Sequence, residues 1–415
     1  MLTVFLLEAV AENSLLGRSQ VHAETRLIPS LTVSERYDTN IFNAAPQFIP
    51  PGTKKWDFAT TASPQVRLIS REREVQSDLT AGVSGNSFVN NPELSYVTTN
   101  ASLRSNLDKL VSQLIPGAKL EISDYFLYTP QPPAFLTGVQ TSQGVPDIYS
   151  RGLQVARANS TSNTAKAAGT YALTPAVSLG GEYLYSFYSI GTVFVSQGTG
   201  GATPSSGLST KTQAWSVGPS LRLSKGDTLS FKYNNAQTSF SGGGVPDSSF
   251  TAHGIEAGYT GVIGDWSVTL GGGGTLIEPG SLIYPTGKLA LTAKLDPATT
   301  ATVGFSRTIA PSLLGTLGAL ISNTTSVSVQ HSLEKGLRMT GTVNYAFNES
   351  APAKDVTYKT LVSQLQLSYP LSRIVTTSLT YDYSHFTFDS TTPGAATSFL
   401  VGKSAVTLAF GFTWN

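Results

Sequence analysis

Large apolar residues recur at every second position in segment after segment of this chain, the period of an extended strand with two unlike faces. The last segment shows it most plainly. Val406, Leu408, Phe410, Phe412 and Trp414 fall on one parity, while Ala405, Thr407, Ala409, Gly411 and Thr413 fall on the other. Upstream, Val375, Leu379, Tyr381 and Tyr383 oppose Thr376, Ser378, Thr380 and Asp382, and Met339, Val343, Tyr345 and Phe347 oppose Arg338, Thr340, Thr342 and Asn344. Segments around 177–187, 215–224 and 266–271 repeat the pattern. No apolar run approaches the roughly 18 to 20 residues of a membrane-spanning helix. If the chain crosses a bilayer it does so with strands, whose backbone groups are all satisfied only when the sheet closes on itself.

The connectors between segments alternate in length. Short turns at Leu173-Thr174-Pro175, 224–227, Gly264-Asp265, Asp296-Pro297, 334–336 and 370–373 sit between long ones near 38–55, 89–94, 129–150, 190–211, 241–249, 278–286, 310–320, 349–355 and 388–397. Short on one rim and long on the other is the outer-membrane arrangement. Nine hairpins give an all-β chain forming a single transmembrane up-and-down antiparallel β-barrel of about eighteen strands over residues 26–415, with both termini on the periplasmic rim.

Composition separates this fold from a soluble β-sandwich. Charged residues make up 13% of the chain, fewer than the water-facing side of a sandwich normally carries. With 27 basic and 26 acidic residues there is no bulk electrostatic signature for nucleic acid. Cysteine is absent, which excludes a disulfide framework, a zinc-thiolate site and a cysteine nucleophile. Residues 1–25 read as a leader or remnant signal peptide: an apolar run from Met1 to Ala11 is interrupted by Glu8 and lacks a basic start, with small-residue cleavage points after Ala11 and Ala23.

Three residues resist the alternation. Pro64 and Pro219 fall on the apolar parity inside strands, where a lost N–H predicts a bulge or a strand end. Asp124 shares the parity of Leu120, Ile122 and Phe126, so the strand either changes face beyond Ser123 or has left the bilayer there. Tyr171, Tyr185, Phe187, Tyr259, Tyr369, Tyr383 and Trp414 lie near strand ends and suit interfacial aromatic girdles.

The opposite parity carries Ser, Thr, Asn, Gln and Gly with scattered charges of both signs. Arg67, Arg104, Arg222, Lys232, Lys294 and Arg338 form the basic set of pore-lining candidates, and Asp78, Glu182, Glu256 and Asp382 the acidic set. A balanced, hydroxyl-rich lumen suits neutral or weakly charged sugars better than an ion-selective pore; the alternative is that these are solvated wall residues pairing with one another. The proline-stiffened connector 129–150 is the candidate constriction, with Phe135 and Leu136 turned into the mouth, or else an extracellular flap. The Gly, Ser and Thr-rich stretch 190–211 reads as a surface loop.

No constellation points to catalysis, a metal or a cofactor, so the chain is not expected to be an enzyme. His22 lies in the leader, and His253, His331 and His385 fall on outward or rim parities. Gly271 to Gly274 sit within an alternating strand rather than ahead of a helix, which argues against a phosphate cradle.

The segments LTVSERYDTNIF at 31–42 and WDFATTASPQVRL at 56–68, together with the aromatic last strand, resemble the outer-membrane β-barrel porins found beside exopolysaccharide and PEP-CTERM/exosortase gene clusters. The resemblance implies residence in the outer-membrane lipid of a Gram-negative-type bacterium and a role in exporting a polysaccharide or anchoring its export. It also implies polysaccharide-export components as partners and barrel-assembly machinery reading Phe410, Phe412 and Trp414. The leading expectation is a pore for polysaccharide or small polar solutes. A loop-plugged anchoring barrel for a surface polymer is second, and a barrel-embedded hydrolase third.

Overall fold

The computed structural model describes residues 24–42, 45–46, 49, 52–129, 158–193, 209–242, 247–278, 282–311, 319–351, 354–391 and 397–414. Eighteen strands follow one another: β1 (Glu24–Asp38), β2 (Asp57–Arg71), β3 (Gln76–Phe88), β4 (Tyr96–Asn106), β5 (Ala118–Thr129) and β6 (Ala158–Ala172). Next come β7 (Val177–Val193), β8 (Ser209–Arg222), β9 (Thr228–Ser241), β10 (Ser248–Ile263), β11 (Trp266–Glu278) and β12 (Leu282–Asp296). The last six are β13 (Thr299–Pro311), β14 (Ala319–Ser332), β15 (Arg338–Ala351), β16 (Val356–Pro370), β17 (Val375–Ser390) and β18 (Thr397–Thr413). A short helix, α1 (Asp108–Leu114), lies between β4 and β5.

Each strand pairs antiparallel with the next, and β18 returns to β1 in register from Ser30 opposite Thr413 to Asp38 opposite Ala405. The sheet is therefore a closed barrel, and no strand edge is left unpaired. The even strand number brings the start of β1 and the end of β18 to the rim of short turns. Those turns carry their own geometry. Gly264 has φ +61° in the tight β10–β11 hairpin, and Lys335 and Gly336 have φ of 57° and 82° between β14 and β15.

The parity of the sequence becomes two surfaces. Val406, Leu408 and Phe410 on β18, Val343 and Tyr345 on β15, and Val217 and Trp215 on β8 are exposed on the outer wall. The expected girdle residues all share that face, Tyr171, Tyr259, Tyr369 and Trp414 toward the short turns and Tyr185, Phe187 and Tyr383 farther along. Large apolar groups covering the outside of a closed sheet are what hydrocarbon solvates and water does not.

The two prolines produce neither bulge nor strand end. Across Pro64 the β2–β3 register passes from Ala62 opposite Gly85 to Gln65 opposite Gly82 with the intervening rungs missing, while Leu31 on β1 still faces Pro64. Across Pro219 the β8–β9 register likewise passes from Val217 opposite Tyr233 to Ser220 opposite Ser230, and Leu179 on β7 faces the proline. A strand with two neighbours loses rungs to one and is held by the other. The register shifts lie elsewhere, between Lys294 and Asp296 and between Ala158 and Ser160.

Asp124 marks no change of face. β5 keeps its parity, so Asp124 stays on the outer face opposite Leu103 and Ala165, between Ile122 and Phe126. Its carboxylate accepts a hydrogen bond from the Asn163 amide at 2.6 Å, which satisfies a charge that lipid does not.

Candidate functional site

The enclosed interior is where this fold gathers chemistry, because alternation sends most of its charged strand residues inward. The ten charged candidates share this inward parity on ten different strands: Arg67, Asp78 and Arg104 on β2 to β4, Glu182, Arg222, Lys232 and Glu256 on β7 to β10, then Lys294, Arg338 and Asp382 on β12, β15 and β17. Several meet wall partners. Arg67 Nε donates to Asp78 at 2.9 Å, Arg104 reaches Glu121 at 2.7 Å, Lys166 reaches Glu182 at 2.8 Å and Lys288 reaches Glu256 at 2.6 Å. Asp382 accepts from the Gln364 amide at 2.8 Å. Arg222, Lys232, Lys294 and Arg338 form no ion pair with another described residue. The partners Glu121, Lys166 and Lys288 were not singled out from the sequence, although each sits on the inward parity of its strand beside Leu120, Ala165 or Leu289.

These pairs face water, with side chains a third or more exposed for Arg67 (51%), Arg104 (71%) and Lys166 (40%). Exposed pairs of this kind contribute about 0–1 kcal/mol each. Their effect is on the field inside the barrel, where they offset the carboxylates and leave Arg222, Lys232 and Lys294 as uncompensated positive charges among the described residues.

A different cluster occupies the seam. Lys403 Nζ on β18 lies 2.8 Å from Asp38 on β1, Arg36 lies 3.4 Å from the same carboxylate, and Arg36 is 3.9 Å from Asp382 on β17. Asp38 and Lys403 are nearly buried, so this network resides in a drier environment than the others.

Above the seam network, toward the long connectors, the interior is packed. Tyr358, Phe386, Phe388 and Phe399 project inward from β16 to β18, with ring centroids 5.8 Å apart for Tyr358–Phe386 and 4.9 Å for Phe388–Phe399. Leu320, Tyr358, Phe386 and Val401 are at most 3% exposed. Across the barrel Tyr188 and Phe240 are buried at the same end. The connector after β1 also turns inward: Ile41 and Phe42 pack with Ala59 and Phe88. Asp57 supports that arrangement by accepting the backbone N–H groups of Asn90 at 2.8 Å and Asn91 at 2.9 Å. Phe135 and Leu136, the expected constriction, lie outside the described residues.

The short-turn half of the interior is open by comparison and holds a recess of about 370 Å³ on the wall of β5 to β9. One row crosses its floor: Lys119 on β5 faces Thr170, Thr170 faces Gly180, Gly180 faces Gly218, and Gly218 lies against Lys232 on β9. Gly218 is required there, since a Cβ would stand 1.8 Å from the Phe231 carbonyl oxygen. Ser220, whose hydroxyl lies 3.0 Å from that of Ser178, and Ser230 edge one side, and Glu121 and Glu182 edge the other.

The family model described as "Putative beta-barrel porin 2" matches residues 288–410, the stretch from β12 to β18. No curated protein matches. Among solved structures, OccK1 (OpdK) of Pseudomonas aeruginosa aligns at 11% identity and a TM-score of 0.44 over 94% of this chain and 99% of its own. OccAB3 of Acinetobacter baumannii aligns at 11% identity and a TM-score of 0.44 over 94% and 100%. A mutant of the ferric enterobactin receptor PfeA of Pseudomonas aeruginosa aligns at 9% identity and a TM-score of 0.48 over 95% and 81%.

Proposed function

Proceeding from a porin-like outer-membrane barrel, we propose that the chain is a non-enzymatic pore that exports or passes polysaccharide or small polar solutes, with both termini in the periplasm. The carrying observation is the hydroxyl-rich interior of the short-turn half, where Asp78, Glu121, Glu182 and Glu256 are each paired with a basic neighbour on the wall: such a surface offers hydrogen bonds to sugars. In this reading Arg67, Asp78, Arg104, Glu182, Arg222, Lys232, Glu256, Lys294, Arg338 and Asp382 line the passage. Phe410 and Phe412 on β18, with Trp414 just beyond its end, are the signal for the assembly machinery. The resemblance of 31–42 and 56–68 to porins of exopolysaccharide clusters favours polysaccharide as the cargo and export components as partners.

A second reading draws on the packed interior at the long-connector end. A barrel closed there serves as an anchoring platform for a surface polymer. Reconstitution into planar bilayers separates the two. Step conductances from the purified full-length barrel are expected for a pore, and their consistent absence, with a deletion strain that secretes polymer but fails to retain it, supports the anchor.

A further inference from the structure

We infer that the recess on the inner wall of β5 to β9 binds a short segment of an acidic saccharide, with Lys119 and Lys232 taking anionic groups at its two ends. This rests on the reading of the barrel as a passage for saccharides and narrows the cargo.

The charge arrangement carries the argument. Every carboxylate around the recess is engaged: Glu121 with Arg104 at 2.7 Å, Glu182 with Lys166 at 2.8 Å, and Asp108 as acceptor of the Leu120 N–H at 2.9 Å. The two lysines are not; neither Lys119 nor Lys232 makes an ion pair or hydrogen bond with another described residue, and both are exposed. Two free ammonium groups therefore face a cavity in which Glu121 and Glu182 are already neutralised by Arg104 and Lys166 and Asp108 is held by the Leu120 N–H.

The shape selects the ligand. Thr170, Gly180 and Gly218 are all that stands between the lysines, and five adjacent strands place them roughly 19 Å apart at about 4.8 Å per strand. A single small anion cannot touch both. A linear saccharide bearing a carboxylate on its sugar units can, while its hydroxyls meet the Ser220 and Ser230 hydroxyls, which both donate and accept. Among the described residues no aromatic side chain lines the recess, so they offer a flat aromatic acid no stacking surface.

The test titrates the full-length barrel in detergent with tetragalacturonate and, as the neutral counterpart, maltotetraose, following binding by calorimetry. The acidic tetramer is expected to bind more tightly than the neutral one and to weaken with added salt. The Lys119→Gln/Lys232→Gln double variant is expected to lose about tenfold or more in affinity for the acidic tetramer, because two charge-assisted contacts go, and nothing for the neutral one. Retained heat-dependent gel mobility establishes that the variant is folded. Equal affinity for both tetramers, or an unchanged affinity in the double variant, overturns the site. Bilayer recordings on the same preparation keep the two ideas apart. A barrel that conducts without binding the acidic tetramer sinks the site and leaves the passage intact, whereas one that binds it without conducting upholds the site and sinks the passage.

Discussion

Asp38 and Lys403 meet where the first and last strands join, and their near burial sets them apart from the water-facing pairs elsewhere in the interior. A buried cation whose counter-ion is removed keeps its desolvation cost and loses its compensation. Asp38→Asn is expected to lower stability by about 3 kcal/mol, measured by urea unfolding in lipid vesicles, against less than about 1 kcal/mol for Asp78→Asn at an exposed pair. Gly218 acts through space rather than charge. Gly218→Ala forces a methyl group onto the Phe231 carbonyl, and the same assay is expected to register a loss of about 1–3 kcal/mol. The inward faces of the ten charged candidates were legible from parity alone, but the identity of their partners was not. Arg104 pairs with Glu121 because β4 and β5 align Asn106 opposite Glu121, and a register between strands is not written in either strand singly.

Strands were the most readable elements, since a period of two survives every local exception. Pro64 and Pro219 show the limit of that reading. A proline removes one donor, and sequence alone does not reveal that a second neighbour holds the strand in line. Turns carry predictions of their own. In the β8–β9 connector, hydrogen bonds from the Ser224 hydroxyl and then the Tyr259 phenol hold the Asp227 carboxyl below its usual range. A carboxylate with a depressed folded-state pKa adds stability at pH values above its unfolded value of about 3.9, and that increment disappears as pH falls through the folded value. Stability measured from pH 6 downward is therefore expected to drop more steeply in the parent barrel than in Asp227→Asn, whose turn has no proton to gain. Parallel curves for the two proteins contradict this.

For the molecule as a whole, the interior divides into a packed end beneath the long connectors and an open end beneath the short turns. Alternation foretold the barrel and its two faces but not this division. Ile41 and Phe42 lie in a stretch that reads as a loop, and their burial depends on Phe88, which arrives from the next hairpin. If the aromatic packing is what restricts flow, Phe386→Ala with Phe399→Ala is expected to raise single-channel conductance severalfold in planar bilayers, and unchanged conductance assigns the restriction elsewhere.

The join between Ser30–Asp38 and its partners near the other end of the polypeptide has one more consequence. A chain cut before its final stave leaves that first stretch and the seventeenth strand without the neighbour each has here, and lipid offers nothing to bare peptide groups.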